Sequence, residues 1–492
     1  MEGSSDDADI PETMVVREPV APNVPDLLRV SPMDTTTATD VETSILDPVV
    51  SSDSFCRFVF LNKGILHSHS KITLAATALA DPTGRRYYPT NIGIQSLISR
   101  CALKVGTKTL QEIDGYNYLS AYKDMFVNNE HQLEREQVQS GKCISHQFRY
   151  SDATDTDGGA VNNTRAPRYG LENGRDYDGT AGEVANLVIQ DWASIGNAPV
   201  FQIALSDMFP MLKQTQLPLY MMEEQVSIEL TFEPTSQFRA CLGPGVARQP
   251  LTIVQTEVKL IADYIYYPQE MMDSYRAANN VISFNHFDYR HSKVSVSATA
   301  VNGTTQIRNL GGAGRIVTKV ITGLQSDATD DDSILNQFHS ISPERKYSFG
   351  QAPAAGNHNG SLTVNIKYND RFLYPIDVTN PARQFHNTAQ AEGMVPFITR
   401  EEFCAEGVAL TDDTYEGYVQ NKGDAGDEDG ILGRFNWLSY RLNRNERINS
   451  RGLEYYWKYQ GLNDSETFTQ RTWLELAKLT TLSGGYVTTQ LA

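Results

Sequence analysis

Apolar and polar residues alternate with a period of two through most of this chain, and few folds accept such a pattern. The stretch VSIELTF places Val226, Ile228, Leu230 and Phe232 on one face and Ser227, Glu229 and Thr231 on the other. KVSVSATAV repeats it with Val294, Val296, Ala298 and Ala300, and SLTVNIKY with Leu362, Val364, Ile366 and Tyr368. FVFLN, KITLAATA, TEVKLIADYIYY and RIVTKVITGL read as strands too. Successive side chains of an extended chain point to opposite faces, so these runs are half-buried antiparallel strands with one face on a core. Helical spacing is rare and predicts short helices over 116–126, 268–278 and 333–337. The chain is therefore expected to be all-β.

The segment LISRCALKVGTKTLQEIDGYNYLSAYKDMF, residues 97–126, reads as a strand over 97–110, a polar turn and an aromatic-rich helix. That helix carries Tyr116, Tyr118, Tyr122 and Phe126.

At 492 residues the chain exceeds a single core, and two large β domains or three ordinary ones are expected. A helical segment over 268–282 divides it into two halves, 54–267 and 283–492. Each half is read as a β sandwich carrying one long polar excursion, 151–182 in the first and 411–433 in the second. Unstructured loops of that length are uncommon and usually functional. Residues 1–53 hold six prolines and little periodicity, and are read as an extended or disordered arm.

Charge is unevenly placed. The net charge is −18, and residues 1–53 alone carry twelve Asp and Glu against two Arg and no Lys. An acidic chain of this kind is poorly suited to gripping DNA through its phosphates, so no direct nucleic-acid binding is expected. No run of about 18 apolar residues is present, and the first residues lack the basic and apolar regions of a secretory signal. Synthesis inside the cell is the expectation. Cys56, Cys101, Cys143, Cys241 and Cys404 are widely spread with no CxxC pair, which points to buried free thiols rather than a zinc site or a disulfide framework. The four N-x-S/T sequons, beginning at Asn162, Asn302, Asn359 and Asn463, are read as chance in a chain rich in polar loops.

Candidate sites are weak. His67 and His69 in HSH stand on one side of an extended chain, as two metal ligands would. No third ligand can be named, and exposed turn histidines are the plainer reading. In GDAGDEDG, alignment on Gly430 puts Asp427 and Asp429 at calcium-loop positions three and five, with Ala425 at the first and Asn436 at the twelfth. The first position needs a carboxylate and the twelfth a bidentate glutamate, so the match fails at both. GGAG at 311–314 precedes a strand where a phosphate loop would open a helix, and is read as a turn. Glu223 and Glu224 are neighbours and point to opposite faces, so they do not form an acid–base pair. Arg441, Arg444, Arg447 and Arg451, against Glu446, make one basic cluster, read as a partner for acidic groups of the arm or of another subunit. Motifs for nucleophilic or metal-assisted catalysis are missing. No catalytic, cofactor-binding or metal residue is expected.

Several segments, in order, resemble major capsid proteins of double-stranded DNA viruses built from double jelly rolls. LISRCALKVGTKTLQEIDGYNYLSAYKDMF is similar to their strand and following helix, though KVGTKTLQEIDG departs from the simpler glycine pair by two extra residues. FQIALSDMFPMLKQTQLPLYMMEEQVSIELTF (201–232) resembles a strand, a bend, LPL and a strand, and VKLIADYIYYPQEMMDSYR (258–276) the last strand and linker helix. SLTVNIKYNDRFLYPIDVTNPARQFHNTAQ (361–390) is similar to a segment of the virophage and polinton-like virus proteins. These stretches cover about a quarter of the chain. The resemblance implies two eight-stranded jelly rolls in tandem and a homotrimer with a pseudo-hexagonal outline. It implies lattice contacts between trimers, penton and minor capsid partners, and an internal membrane nearby. The loops 151–182 and 411–433 would form an outward tower, in a virion shell. The 116–126 helix would cap its sandwich, wedge between subunits, or simply close its own core. The alternative is a carbohydrate-binding or carbohydrate-cleaving β sandwich, which calls for exposed aromatic platforms. Trp192, Trp437, Trp457 and Trp473 are few and scattered for that role. A receptor-binding spike would show fibrous repeats, and none is seen.

Overall fold

The alternating runs become antiparallel ladders arranged in two sandwiches. The computed structural model describes residues 40–78, 87–89, 93–124, 126, 139–140, 156–157, 160–161, 200–214, 216–233, 239–241, 251–297, 303–326, 361–379, 381–395, 437–442, 446–460 and 467–491. The first sandwich comprises β1 (Asp40–Leu46), β2 (Val50–Ser51), β3 (Phe55–Val59), β4 (Ile65–Leu66), β5 (Lys71–Leu74), β6 (Ile98–Val105), β7 (Lys108–Asp114), β8 (Phe201–Ala204), β9 (Val226–Phe232) and β10 (Lys259–Tyr266). Sheet A has the order β1-β10-β5-β8, with β4 also on β10; sheet B has the order β2-β3-β9-β6-β7.

The helix α1 (Tyr116–Asp124) follows β7, and α2 (Gln269–Ala278) leads into the second sandwich. That sandwich comprises β11 (Val281–Ser297), β12 (Gln306–Gly311), β13 (Val317–Ser326), β14 (Ser361–Tyr368), β15 (Arg371–Phe372), β16 (Trp437–Arg441), β17 (Leu453–Gln460), β18 (Thr467–Ser483) and β19 (Tyr486–Leu491), with the helix α3 (Pro381–Glu392). Sheet C is β11-β18-β13-β16, with β19 also on β18, and sheet D is β12-β17-β14-β15.

The period-two reading holds on the central strands. Val226, Ile228, Leu230 and Phe232 all face the core, as do Leu362, Val364, Ile366 and Tyr368. Burying side chains of this size contributes about 1.5–3 kcal/mol each, which makes these faces the main source of stability. On the outer face of sheet B, Lys104 and Glu229 pair at 2.5 Å and Arg100 and Glu112 at 2.6 Å. Leu230 lies between Cys56 and Cys101 across the ladder. Both thiols are free and buried, and burial pushes the Cys56 thiol up to about 12 and Cys101 higher still. Their thiolates are suppressed, so they pack as small apolar groups.

Several expectations change. The run 97–110 is two strands: β6 and β7 form a hairpin in which Val105 pairs with Lys108 around Gly106 and Thr107. Gly106 has φ +57°, as a two-residue hairpin turn with glycine first requires. The expected arm, 1–53, includes strands from Asp40 onward: β1 pairs along its full length with β10, and β2 with β3. β1 is polar at alternate positions and edges its sheet, which weakened its signal. Val294, expected to face inward, is 41% exposed, because β11 runs beyond the core it starts in. The helix α3 went unpredicted, since PARQFHNTAQAE reads as a polar loop. The expected helix at 333–337, and Ala298 and Ala300, lie outside the described residues.

In the second sandwich His286 is 2% exposed and its Nε2 lies 2.8 Å from Thr480 Oγ1. Burial, with Lys478 nearby and only partly offset by a backbone hydrogen bond and Asp288, pulls its pKa to about 4. The folded pKa is below the unfolded value, so the stabilisation is complete above pH 6.5 and is lost as pH falls toward 4. We expect a loss of about 3 kcal/mol over that interval in urea unfolding monitored by tryptophan fluorescence. His286→Gln, which cannot take up the proton, should remove that part of the slope; an unchanged slope would show that His286 does not carry it.

Candidate functional site

The most heavily built region is the junction between the two sandwiches. Strand β18 is buried at five successive positions, Thr472 to Leu476, and β16 at four, Trp437 to Tyr440. Alternation cannot bury consecutive residues unless both faces of a sheet are covered. Leu474 and Leu476 face the second sandwich's own core. Trp473, Glu475, Lys319, Ile321 and Ser439 share the opposite face of sheet C, since Trp473 pairs with Ile321, Glu475 with Lys319 and Ser439 with Ile321. That face is covered by α1 of the first sandwich and by α3.

Helix α1 enters the junction through Asp114 and Gly115. Trp473 Nε1 donates to the Asp114 carbonyl at 2.9 Å, and the His291 ring stacks on Trp473 at 4.6 Å. Gly115 has φ +66°, and a Cβ there would stand 3.0 Å from His291 Cε1 and 3.1 Å from Trp473 Cζ2. Both the backbone angle and the close approach therefore require glycine. His291 Nδ1 lies 3.0 Å from Asp114 Oδ2. Burial lowers the His291 pKa despite that carboxylate, so at neutral pH the ring is uncharged and donates to Asp114 as a neutral group. The bond to His291 in turn holds the Asp114 carboxyl below its ordinary value.

Tyr118 of α1 lies under the Arg471 guanidinium, 3.6 Å from the ring centroid, and edge-on to Trp437. The Tyr122 hydroxyl donates to Glu392 Oε1 at 2.5 Å and stands 2.7 Å from Ser439 Oγ. Lys319 Nζ reaches Glu392 at 2.5 Å and Glu475 at 3.2 Å, and Glu475 also accepts from the Tyr289 hydroxyl at 3.0 Å and from Thr318 Oγ1 at 2.7 Å. Burial, reinforced by the adjacent carboxylates, raises the Tyr122 and Tyr289 hydroxyls well above their usual range. Burial alone would lower Lys319; Glu475 and Glu392 outweigh it and hold the ammonium charged. Lys123, with no such partner at hydrogen-bond distance among the described residues and with Lys213 nearby, is lowered by burial to about 8. Further ties run along β7. Gln111 Nε2 donates to the Phe287 carbonyl at 2.6 Å, Glu112 N to Asp288 Oδ1 at 3.1 Å, and Lys478 Nζ reaches the Thr109 carbonyl and Asp288 at 2.9 and 3.0 Å.

This arrangement orients two bodies against one another. Helix α1 neither caps its own sandwich alone nor presents its aromatics to another subunit, because Tyr116, Tyr118 and Tyr122 are buried within the chain. Phe126, beyond the helix end, rests edge-on against Tyr122. TWLEL and WLSY are buried at every position, which alternation over a single core does not produce.

The residues singled out from sequence stand apart from one another. His67 and His69 are adjacent, ring centroids 4.4 Å apart, but His67 Nδ1 accepts the His69 backbone N–H at 3.0 Å, which uses a ligand lone pair to hold a turn. Among the described residues no group of three or more His, Cys, Asp or Glu is placed to hold a metal ion. Glu223 pairs with Arg276 at 3.0 Å and Glu224 lies 3.8 Å from Lys108, so each pins a different element. GGAG forms a turn whose Gly314 N–H donates to the Ile448 carbonyl, tying it to the arginine-bearing segment. Arg451 meets Asp370 at 2.9 Å, while Arg444 lies outside the described residues. The same is true of Asp427, Asp429 and Gly430, of Trp192, of the loop 411–433 and of most of the loop 151–182. Trp437, Trp457 and Trp473 are buried and offer no platform to a glycan. Among the described residues no helix is long and apolar enough to cross a membrane.

Two tandem antiparallel sandwiches, each of two facing sheets and joined by a short helix, define a double jelly roll. Comparison with solved structures agrees. The cryo-EM structure of the Sputnik virophage contains a chain that matches with a TM-score of 0.53 at 11% identity, covering 92% of this chain and 88% of that one. PBCV-1 VP54, fitted into a reconstruction of Sputnik, matches with a TM-score of 0.51 at 10% identity over 93% of this chain and 97% of its own. The quasi-atomic model of the PBCV-1 virus capsid gives the same values. At such identity the likeness is one of fold. No protein-family model and no curated protein matches the chain.

Tyr122→Phe removes one hydroxyl from Glu392 and Ser439 and should cost about 1–3 kcal/mol in denaturant unfolding. Lys319→Met leaves Glu392 and Glu475 facing each other without a cation, and should cost more, about 3–5 kcal/mol. Equal stability of Lys319→Met and the parent would mean that solvent already relieves those carboxylates.

Proposed function

We propose that this chain is a major capsid protein of a double-stranded DNA virus, self-assembling as pseudo-hexagonal trimers that tile an icosahedral shell. The observation that carries the proposal is the buried junction, which locks two sandwiches of similar size into one block. Three such blocks present six sandwiches around an axis, and six-fold outlines tile a surface. The solved structures of like fold include a virus capsid, which supports the same reading. Work of this kind asks for broad contact surfaces and no reaction centre, so no catalysis or cofactor is proposed. The partners are other copies of the chain, with penton and minor capsid proteins completing the shell, and an internal membrane lying beneath. A net charge of −18 argues against a direct grip on the genome. The protein would reside in the virion. Trp437, Trp457 and Trp473 are buried, so the described residues offer the glycan-binding alternative no tryptophan platform.

Light scattering of the purified protein should give about three times the chain mass of 54.8 kDa, and negative-stain images of the same sample a hexagonal outline. A single chain that binds glycans would overturn the reading. Deleting 1–39 removes eight acids and two Arg, a net of −6 out of −18, and keeps β1. If this segment acts in assembly, trimers should persist while shell formation fails; normal shells would exclude that role.

A further inference from the structure

The junction uses one side of each sandwich and leaves the opposite sides open. In the first sandwich the contact is made by α1 and β7, and β7 is one edge of sheet B. The far edge of that sheet is β2, and β1, a short link away, edges sheet A. In the second sandwich the contact falls on sheet C, and sheet D closes the far side of the core. The chain thus ends in two distal surfaces, the β1–β2 side and the outer face of sheet D.

Both surfaces expose large apolar side chains. On the first, Val41 is 62% exposed, Ile45 64% and Val50 49%. On the second, Ile307 is 62% and Phe372 53% exposed, with Tyr456 edge-on to Phe372 at 5.2 Å. An exposed edge strand of this kind invites pairing or packing, and proteins commonly guard such edges with lysine. Residues 40–53 contain no Lys or Arg and four acids. The described strands and turns of sheet D are basic in balance: Lys367, Arg371, Arg447, Arg451 and Lys458 stand against Asp370, Glu446 and Glu454 within 361–372 and 446–460. Asp40 and Asp47 on one side, and Arg371 and Arg447 on the other, are exposed and make no ion pair among the described residues.

We infer that the β1–β2 side of one copy docks on the outer face of sheet D of a second copy, with Asp40 and Asp47 set against Arg371 and Arg447. The inference rests on the capsid reading and names the surface through which chains join. The contact is heterologous: two different surfaces meet, so each copy both gives and receives, and the chain of contacts closes into a ring when the rotation allows. A ring of three then alternates first and second sandwiches, with the junction inside each chain and this contact between chains.

The test uses the full-length protein. Ile45→Glu and Ile307→Glu stand at exposed positions and should fold, as circular dichroism would verify. Each should reduce the three-chain mass of the parent to that of one chain. Ile45→Cys mixed with Ile307→Cys should give a bismaleimide-linked pair, while either variant alone links no more than the parent. If the parent is trimeric and both glutamate variants remain so, this inference fails and the capsid reading stands. Dissociation without the mixed crosslink, or self-linking of Ile45→Cys, would also overturn the pairing. A parent that stays a single chain at every concentration removes self-docking altogether, and glycan binding by that chain would remove the capsid reading with it.

Discussion

The burial of both faces of sheet C is the constraint on which the rest of the molecule depends. A half-buried sheet needs one apolar face; this one carries a second, made of Trp437, Trp473, Ile321 and the aliphatic part of Lys319. Such a face is stable only if something covers it, and α1 of the first sandwich does so. The two sandwiches are therefore not beads on a linker. Large aromatic surfaces removed from water supply the driving force. The charged members work differently. One ammonium faces two carboxylates, and dehydrating three ions costs several kcal/mol apiece, so Coulomb attraction does little more than offset the loss. What Lys319, Glu392 and Glu475 contribute is a set of directional contacts that ties α3 to sheet C.

The local chemistry around α1 follows from that requirement. Gly115 turns the chain sharply enough for the helix to start against His291 and Trp473. His291 stays neutral beside Asp114, so the turn is held by a hydrogen bond from an uncharged ring to the Asp114 carboxylate. Tyr118 and Tyr122 each present an apolar ring to the junction while their environment supplies a cation above one and acceptors for the hydroxyl of the other. A leucine-rich helix could fill the space but would leave Glu392 and Arg471 without these partners.

Under the proposed capsid reading such rigidity is useful. Error in the angle between the two sandwiches would propagate to every neighbour in a lattice, and a packed junction resists it as a covalent linker could not. The buried thiols of Cys56 and Cys101 are held protonated, His67 spends a lone pair on its own turn, and the paired glutamates at 223 and 224 hold separate elements.

Much of this was legible in the residues and some was not. The core strands and the burial of Cys56 and Cys101 were readable, because alternation acts over a few positions. β1 was not, since an edge strand with polar positions looks like a tail until its partner β10 is known. The turn inside 97–110 was missed because Gly-Thr was read as part of one strand, and α3 because its polar face hides its few buried side chains. By itself the sequence determined an all-β chain of two sandwiches, since side-chain direction in a strand is a property of each residue and its neighbours. Only the tertiary structure decided that Tyr122 meets Glu392 and Ser439, 270 and 317 positions away, and that TWLEL lies buried on both faces. Those contacts depend on where whole sheets come to rest, and no local pattern encodes that.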